Sequence, residues 1–81
     1  VEHKLRNGAP YDLLIANILA NPLIAMAPDI VNVVDRDGWI ILSGLLEKQR
    51  QGVLDAYLPL GVELAGQHQL GEWPTLVLRK Q

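Results

Sequence analysis

The sequence predicts an α/β fold: a mixed sheet with two parallel strands, two helices and a terminal antiparallel hairpin. Three observations carry that expectation. The runs Leu13–Ala16 and Trp39–Ser43 are short, apolar and uncharged, as strands covered on both faces are. Each run leads into a stretch with apolar residues at helical spacing, near residues 22–34 and 46–58. Two further runs, Val62–Leu70 and Trp73–Lys80, are separated only by Gly71-Glu72, the loop length of a tight hairpin.

Residues 1–10 read as a connector, because Asn7-Gly8 and Pro10 are turn punctuation without a sustained apolar period. Residues 11–81 read as the folded unit. The first strand is placed at 12–17, fully buried, with Asn17 where it stops. Asn21-Pro22 then gives a helix-start signal, with Asn as N-cap and Pro at the first helical position. Leu23, Ala27, Ile30 and Val34 share one face of the helix that follows, widened by Ile24 and Val31. Pro28 cannot donate a backbone hydrogen bond and clashes with the carbonyl four residues earlier, so this helix either kinks or forms two short pieces. Asp35-Arg36-Asp37-Gly38 is read as the closing turn, with Gly38 in a left-handed position.

The second strand, Trp39–Ser43, completes a unit of strand, helix and strand, whose strands are parallel and whose crossover is right-handed. In the second helix Leu46, Arg50, Val53, Leu54, Tyr57 and Leu58 mark the inner side, with Arg50 reaching outward at its edge. Pro59-Leu60-Gly61 ends it. The final strand is apolar on both faces and belongs inside the sheet. The strand before it carries Gly66, Gln67, His68 and Gln69, a composition suited to an edge. Pro74 is tolerable near a strand start.

Composition bounds the function classes. The chain has 81 residues, 49% of them hydrophobic, without any Phe. A chain of this length buries a modest share of its surface. Its high apolar content and its start at Val1 lead to the expectation of a piece of a larger domain. Seven basic residues stand against nine acidic ones, for a net charge of −2, so no direct nucleic-acid partner is expected. With zero Cys, neither a disulfide framework nor thiol chemistry is available. Residues 13–28 carry no charge, but the run is too short to span a bilayer and is interrupted by Asn17, Asn21, Pro22 and Pro28. No membrane association and a cytoplasmic location are the expectation.

Ligands of open α/β sheets bind beyond the carboxyl ends of the strands. That rule singles out Asn17, which read alone fits either a functional amide or a strand terminator bonded to local backbone. Asn21 fits a helix cap or the same crevice. Ser43 and Gly44 fit a tight strand-to-helix turn or contact with a substrate. His3 and His68 lack companions at metal-ligand spacing, so no metal is expected. Glu47, Lys48 and Arg50 read as a solvated helix start, and Trp39 and Trp73 as packing residues at strand starts.

Three blocks, Asn17-Ile-Leu-Ala-Asn-Pro-Leu23, Leu42-Ser-Gly-Leu-Leu46 and Gly71-Glu-Trp-Pro-Thr-Leu-Val77, stand in an order and at separations that resemble one family. The chain resembles the carboxyl-terminal part of the PrmA-type methyltransferases, which modify a ribosomal protein of the large subunit. The likeness covers residues 11–80. It implies the carboxyl-terminal half of a Rossmann-like, S-adenosylmethionine-dependent methyltransferase sheet, in which a reversed hairpin ends the chain. It also implies methyl transfer to amino groups of the ribosomal protein. Asn17 would stand beside both donor and entering amine, as a catalytic and cofactor-binding residue, with Asn21, Pro22, Ser43 and Gly44 toward the substrate.

The family's glycine-rich donor loop and ribose-gripping acidic residue lie upstream of the matching region and are missing here. The isolated chain is therefore expected to bind the donor weakly and to be inactive alone, and its exposed first strand is expected to favour self-association. Two other functions stay open. One is a same-fold methyltransferase acting on a small molecule or on nucleic acid; the latter kind typically carries Asn-Pro-Pro and an aromatic residue, whereas Ile18, Leu19 and Ala20 follow Asn17. The other is a noncatalytic α/β interaction module.

Overall fold

The computed structural model describes residues 10–81; the expected connector, apart from Pro10, lies outside the described residues, as does His3. The elements are β1 (Tyr11–Asn17), α1 (Ala20–Ala25), α2 (Ala27–Val33), β2 (Val34–Ser43), α3 (Arg50–Tyr57), β3 (Val62–Leu70) and β4 (Trp73–Lys80), with short 3-10 turns at Glu47–Gln49 and Leu58–Leu60. They build one four-stranded sheet in the order β1-β2-β4-β3. The β1–β2 pair is parallel, with Leu14 opposite Ile40 and Asn17 opposite Ser43. β4 runs antiparallel to both of its neighbours. The mixed sheet, the interior final strand and the edge position of β3 agree with the sequence reading.

Both crossovers, β1 to β2 and β2 to β3, step the same way across the sheet. Right-handed connections stepping one way put their helices on one face. Leu14, Ala16, Ile40, Leu42, Leu76 and Leu78 accordingly share a core with Leu23, Ile30, Val53 and Tyr57 from the helices. The opposite face is open among the described residues. Leu13 is 50% exposed, Ile15 54% and Trp39 40%. This corrects the expectation of strands covered on both sides: the apolar runs are continuous, but their burial alternates with the pleat. It also corrects the packing role read for Trp39 and Trp73, the latter being 53% exposed.

The first helical stretch is two helices. Met26, at φ −90 and ψ 0, separates them, and Pro28 lies in the first turn of α2, where its missing N–H costs nothing. α2 ends under Lys80, whose Nζ donates to the carbonyls of Val31 at 2.9 Å and Val34 at 2.8 Å. A cation there meets the negative end of the helix.

The segment after α2 is a correction. It belongs to β2 and bulges, because Tyr11 pairs with Val34 and Leu13 with Trp39. Asp37 takes the positive φ, at 68 degrees. Gly38 answers a different demand: a side chain there would meet Val34 at 2.6 Å and the Asp35 carbonyl at 2.8 Å. α3 presents Val53, Leu54 and Tyr57 inward, and Tyr57 donates its hydroxyl to the Leu23 carbonyl of α1 at 2.8 Å. Arg50 stays at the rim of this packing, bonded to Gln67 of β3 and paired with Glu47.

Candidate functional site

The parallel strands deliver Asn17 and Ser43 side by side at one rim of the sheet. Asn17 alternates with Leu13 and Ile15, so its side chain belongs to the open face, and it is exposed. Directly beyond the rim the two chains are tied together. Ile18 donates its N–H to the Ser43 carbonyl at 3.2 Å, and Leu45, fully buried, anchors the turn leaving β2. Between them Gly44 turns at φ +87. A side chain on Gly44 would stand 2.7 Å from Asn17 Oδ1. The family likeness grouped Ser43 and Gly44 with Asn17, and the structure brings these three together. Among the described residues no hydrogen bond occupies the Asn17 carboxamide.

Asn21 and Pro22 stand differently from expectation. The residue before α1 is Leu19, with extended φ −60 and ψ 156, and no side chain caps the helix. Asn21 and Pro22 are thus the second and third helical residues, both exposed. The first intrahelical bond is Leu23 N–H to the Leu19 carbonyl, at 3.1 Å. Proline is free of penalty anywhere in a first turn, whose amides have no carbonyl to reach, so Asn-Pro did not fix the start. Both residues sit on the helix that leaves the rim.

The hairpin supplies the third side. β4 begins where β2 ends, with Leu76 opposite Leu42. The Glu47 N–H donates to the Glu72 carbonyl at 2.8 Å, which joins the turn after Gly44 to the hairpin loop. Gly71, at φ +61, makes that loop possible. Glu72 and the exposed Trp73 thereby border the rim, a role that sequence reasoning missed because it read Trp73 as packing.

The rim's electrostatics are quiet. Residues 16–22 and 43–46 carry no ionisable side chain. Among the described residues Tyr57 is the one group with a marked shift; it is fully buried, and burial pushes its hydroxyl well above the ordinary phenol range. It serves packing between α3 and α1. A charged cleft of about 300 Å³, lined by Arg36, Asp37, Glu63, Arg79, Lys80 and Gln81, lies at the other end of β2 and β4. There Arg79 stands 3.5 Å from Asp37 and 5.4 Å above the Trp39 ring.

The model of the family described as ribosomal protein L11 methyltransferase (PrmA) matches residues 1–81. A ribosomal protein L11 methyltransferase from Caulobacter sp. (strain K31) is 43% identical over 79 residues, covering 96% of this chain and 27% of the relative. One from Agrobacterium fabrum (strain C58) is 48% identical over 77 residues, covering 93% of this chain and 26% of the relative. This chain thus spans about a quarter of the length of the curated relatives it matches. The crystal structure of a ribosomal protein L11 methylase from Lactobacillus delbrueckii subsp. bulgaricus superimposes with a TM-score of 0.82 at 28% identity, over 95% of this chain and 41% of that one.

Proposed function

The chain belongs to the ribosomal protein L11 methyltransferase family, and from that premise we propose that its rim is one wall of a methyl-transfer site, with Asn17 as the residue that orients the accepting amine. The donor is S-adenosylmethionine, the substrate a set of amino groups on the ribosomal protein, and the working enzyme a cytoplasmic protein of the relatives' length. The observation that carries this reading is the unengaged, exposed carboxamide of Asn17 at the carboxyl end of a parallel strand, against a glycine that leaves room for it.

That arrangement fits part of a donor site. A carboxamide and a close-approach glycine suit contact with a donor and an amine, and no glycine-rich loop follows a strand in this chain to cradle the rest. S-adenosylmethionine, when bound, supplies a sulfonium methyl, which passes to nitrogen as the carbon–sulfur bond breaks with its electrons left on sulfur. Asn17 Oδ1 accepts an N–H from the neutral amine and aims its lone pair along the line of transfer. Being uncharged, it does not favour the ammonium form, which has no lone pair to offer. The gain is positional, a class of effect that supplies about 7–11 kcal/mol in well-oriented systems.

A protein substrate is favoured over a flipped base, because the residues after Asn17 are aliphatic and the rim lacks positive charge. The test is Asn17→Ala in a full-length enzyme carrying this segment. Turnover should fall about 100-fold with the circular dichroism spectrum unchanged. Undiminished turnover in folded protein removes Asn17 from the mechanism.

A further inference from the structure

Gly44 joins the ends of β1 and β2 at the point where a side chain has nowhere to go. Its left-handed backbone does not by itself explain the residue, since Asp37 holds φ +68 with a side chain in place. Space is the second demand. A Cβ at Gly44 would lie 2.7 Å from Asn17 Oδ1, 2.8 Å from the Ile18 carbonyl oxygen and 2.9 Å from the Ile18 nitrogen, all closer than real Cβ atoms come. The Ile18 backbone is held by its bond to Ser43, and the turn is held by buried Leu45. Of the three, only the Asn17 carboxamide, exposed and on a rotatable bond, yields cheaply; the two Ile18 backbone contacts add a cost in stability on top of the displaced oxygen.

We propose that Gly44 is a positioning residue for Asn17: the space its missing side chain leaves is where the carboxamide oxygen stands, and occupying that space re-aims the oxygen. This rests on the reading of Asn17 as the group that orients the amine. Gly44 itself touches no reacting atom and acts through its neighbour. Gly61 is the internal control, because it has the same backbone hand, φ +92, with nothing within 4 Å of a Cβ.

The test uses a full-length enzyme carrying this segment, with Gly44→Ala, Asn17→Ala, the double variant and Gly61→Ala. Gly44→Ala should lower kcat by about 100-fold with KM nearly unchanged, the order of loss that a misplacement of about 1 Å produces. Gly61→Ala, which shares only the backbone strain, should stay within about twofold. In the Asn17→Ala background Gly44→Ala should add less than about threefold, because residues acting as a unit are non-additive. The side-chain amide NMR signals of Asn17 should move in Gly44→Ala and stay in place in Gly61→Ala, a readout independent of turnover.

Equal losses from Gly44→Ala in both backgrounds, or unmoved Asn17 amide signals, overturn the proposal. A fully active Asn17→Ala variant overturns the catalytic reading of Asn17, while shifted amide signals would still support the packing relation. Should Gly44→Ala fail to fold, Asn17→Ala must restore part of its stability, and no restoration overturns the proposal.

Discussion

Removing one oxygen from the core, by Tyr57→Phe, has a consequence that changes with pH. At neutral pH the ring keeps its packing, and the loss is the hydroxyl bond to the Leu23 carbonyl, 2.8 Å long and buried. An intramolecular hydrogen bond contributes about 0.5–1.5 kcal/mol, and a carbonyl left short of its donor raises the cost, so about 1–2 kcal/mol is expected. Alkali works in the other direction. Burial raises the Tyr57 hydroxyl above its ordinary value of 10.0, so the folded chain disfavours the phenolate. For a group raised on folding, the stabilisation is whole below the unfolded pKa and is lost as pH climbs toward the folded one. Between pH 7 and pH 11 the wild-type chain therefore loses about 1.4 kcal/mol that Tyr57→Phe does not, most of it above pH 10. The deficit of the variant at pH 7 should shrink to near zero by about pH 11. Urea melts of both chains at the two pH values measure it. A deficit that stays constant across this range refutes the assignment of the alkaline loss to Tyr57, and no deficit at pH 7 refutes the bond's contribution.

Three further outcomes follow from the rim and the sheet edge. Asn17→Asp in a full-length enzyme places a carboxylate beside the amine, which favours the ammonium form and should move the rise of activity with pH upward by about 1 unit or more; an unmoved pH profile counts against contact between residue 17 and the amine. Calorimetry of the 81-residue chain with S-adenosylmethionine should show no micromolar binding, since the chain has no glycine-rich loop after a strand; micromolar binding contradicts the view that this rim is one wall only. β1 is an edge strand with Leu13 and Ile15 exposed, so the chain should self-associate at high concentration, and Ile15→Lys should shift its sedimentation toward monomer. A wild-type chain that sediments only as monomer refutes this.

The order of elements, the β3 edge and the hairpin were legible because each rests on a local signal: apolar runs of strand length, the Gly71-Glu72 loop, and polar composition in β3. The break at Pro28 was legible because proline denies one specific hydrogen bond. What the sequence left open is non-local. A run such as Leu13-Leu14-Ile15-Ala16 states that both faces tolerate apolar neighbours, but which face the helices cover follows from the stepping direction of the crossovers. Asn21-Pro22 suits any first-turn position equally, and so misplaced the start of α1 by two residues. Gly38 was read as a turn residue, when its role is close approach to Val34 and the strand backbone beside it. Such an approach exists only once β1 and β2 are in register. The same holds for Gly44 and Asn17, which stand 27 positions apart in the chain and meet because the parallel register sets Asn17 opposite Ser43.

The three blocks that carry the family likeness share no secondary structure: a strand end with a helix start, a strand end with a turn, and a hairpin loop with a strand start. Their common property is position. β1 and β2 end at one rim, and β4 begins there because it returns antiparallel, so the Glu72 carbonyl meets the Glu47 amide beside the turn after Gly44. No ionisable side chain stands in the rim stretches 16–22 and 43–46. Acid–base catalysis from these stretches is therefore a poor account of why the blocks converge. Accurate placement is a better one: fixed strand ends, a buried leucine anchoring one turn, and a glycine leaving a carboxamide its room. A site made this way is sensitive to displacement of its backbone.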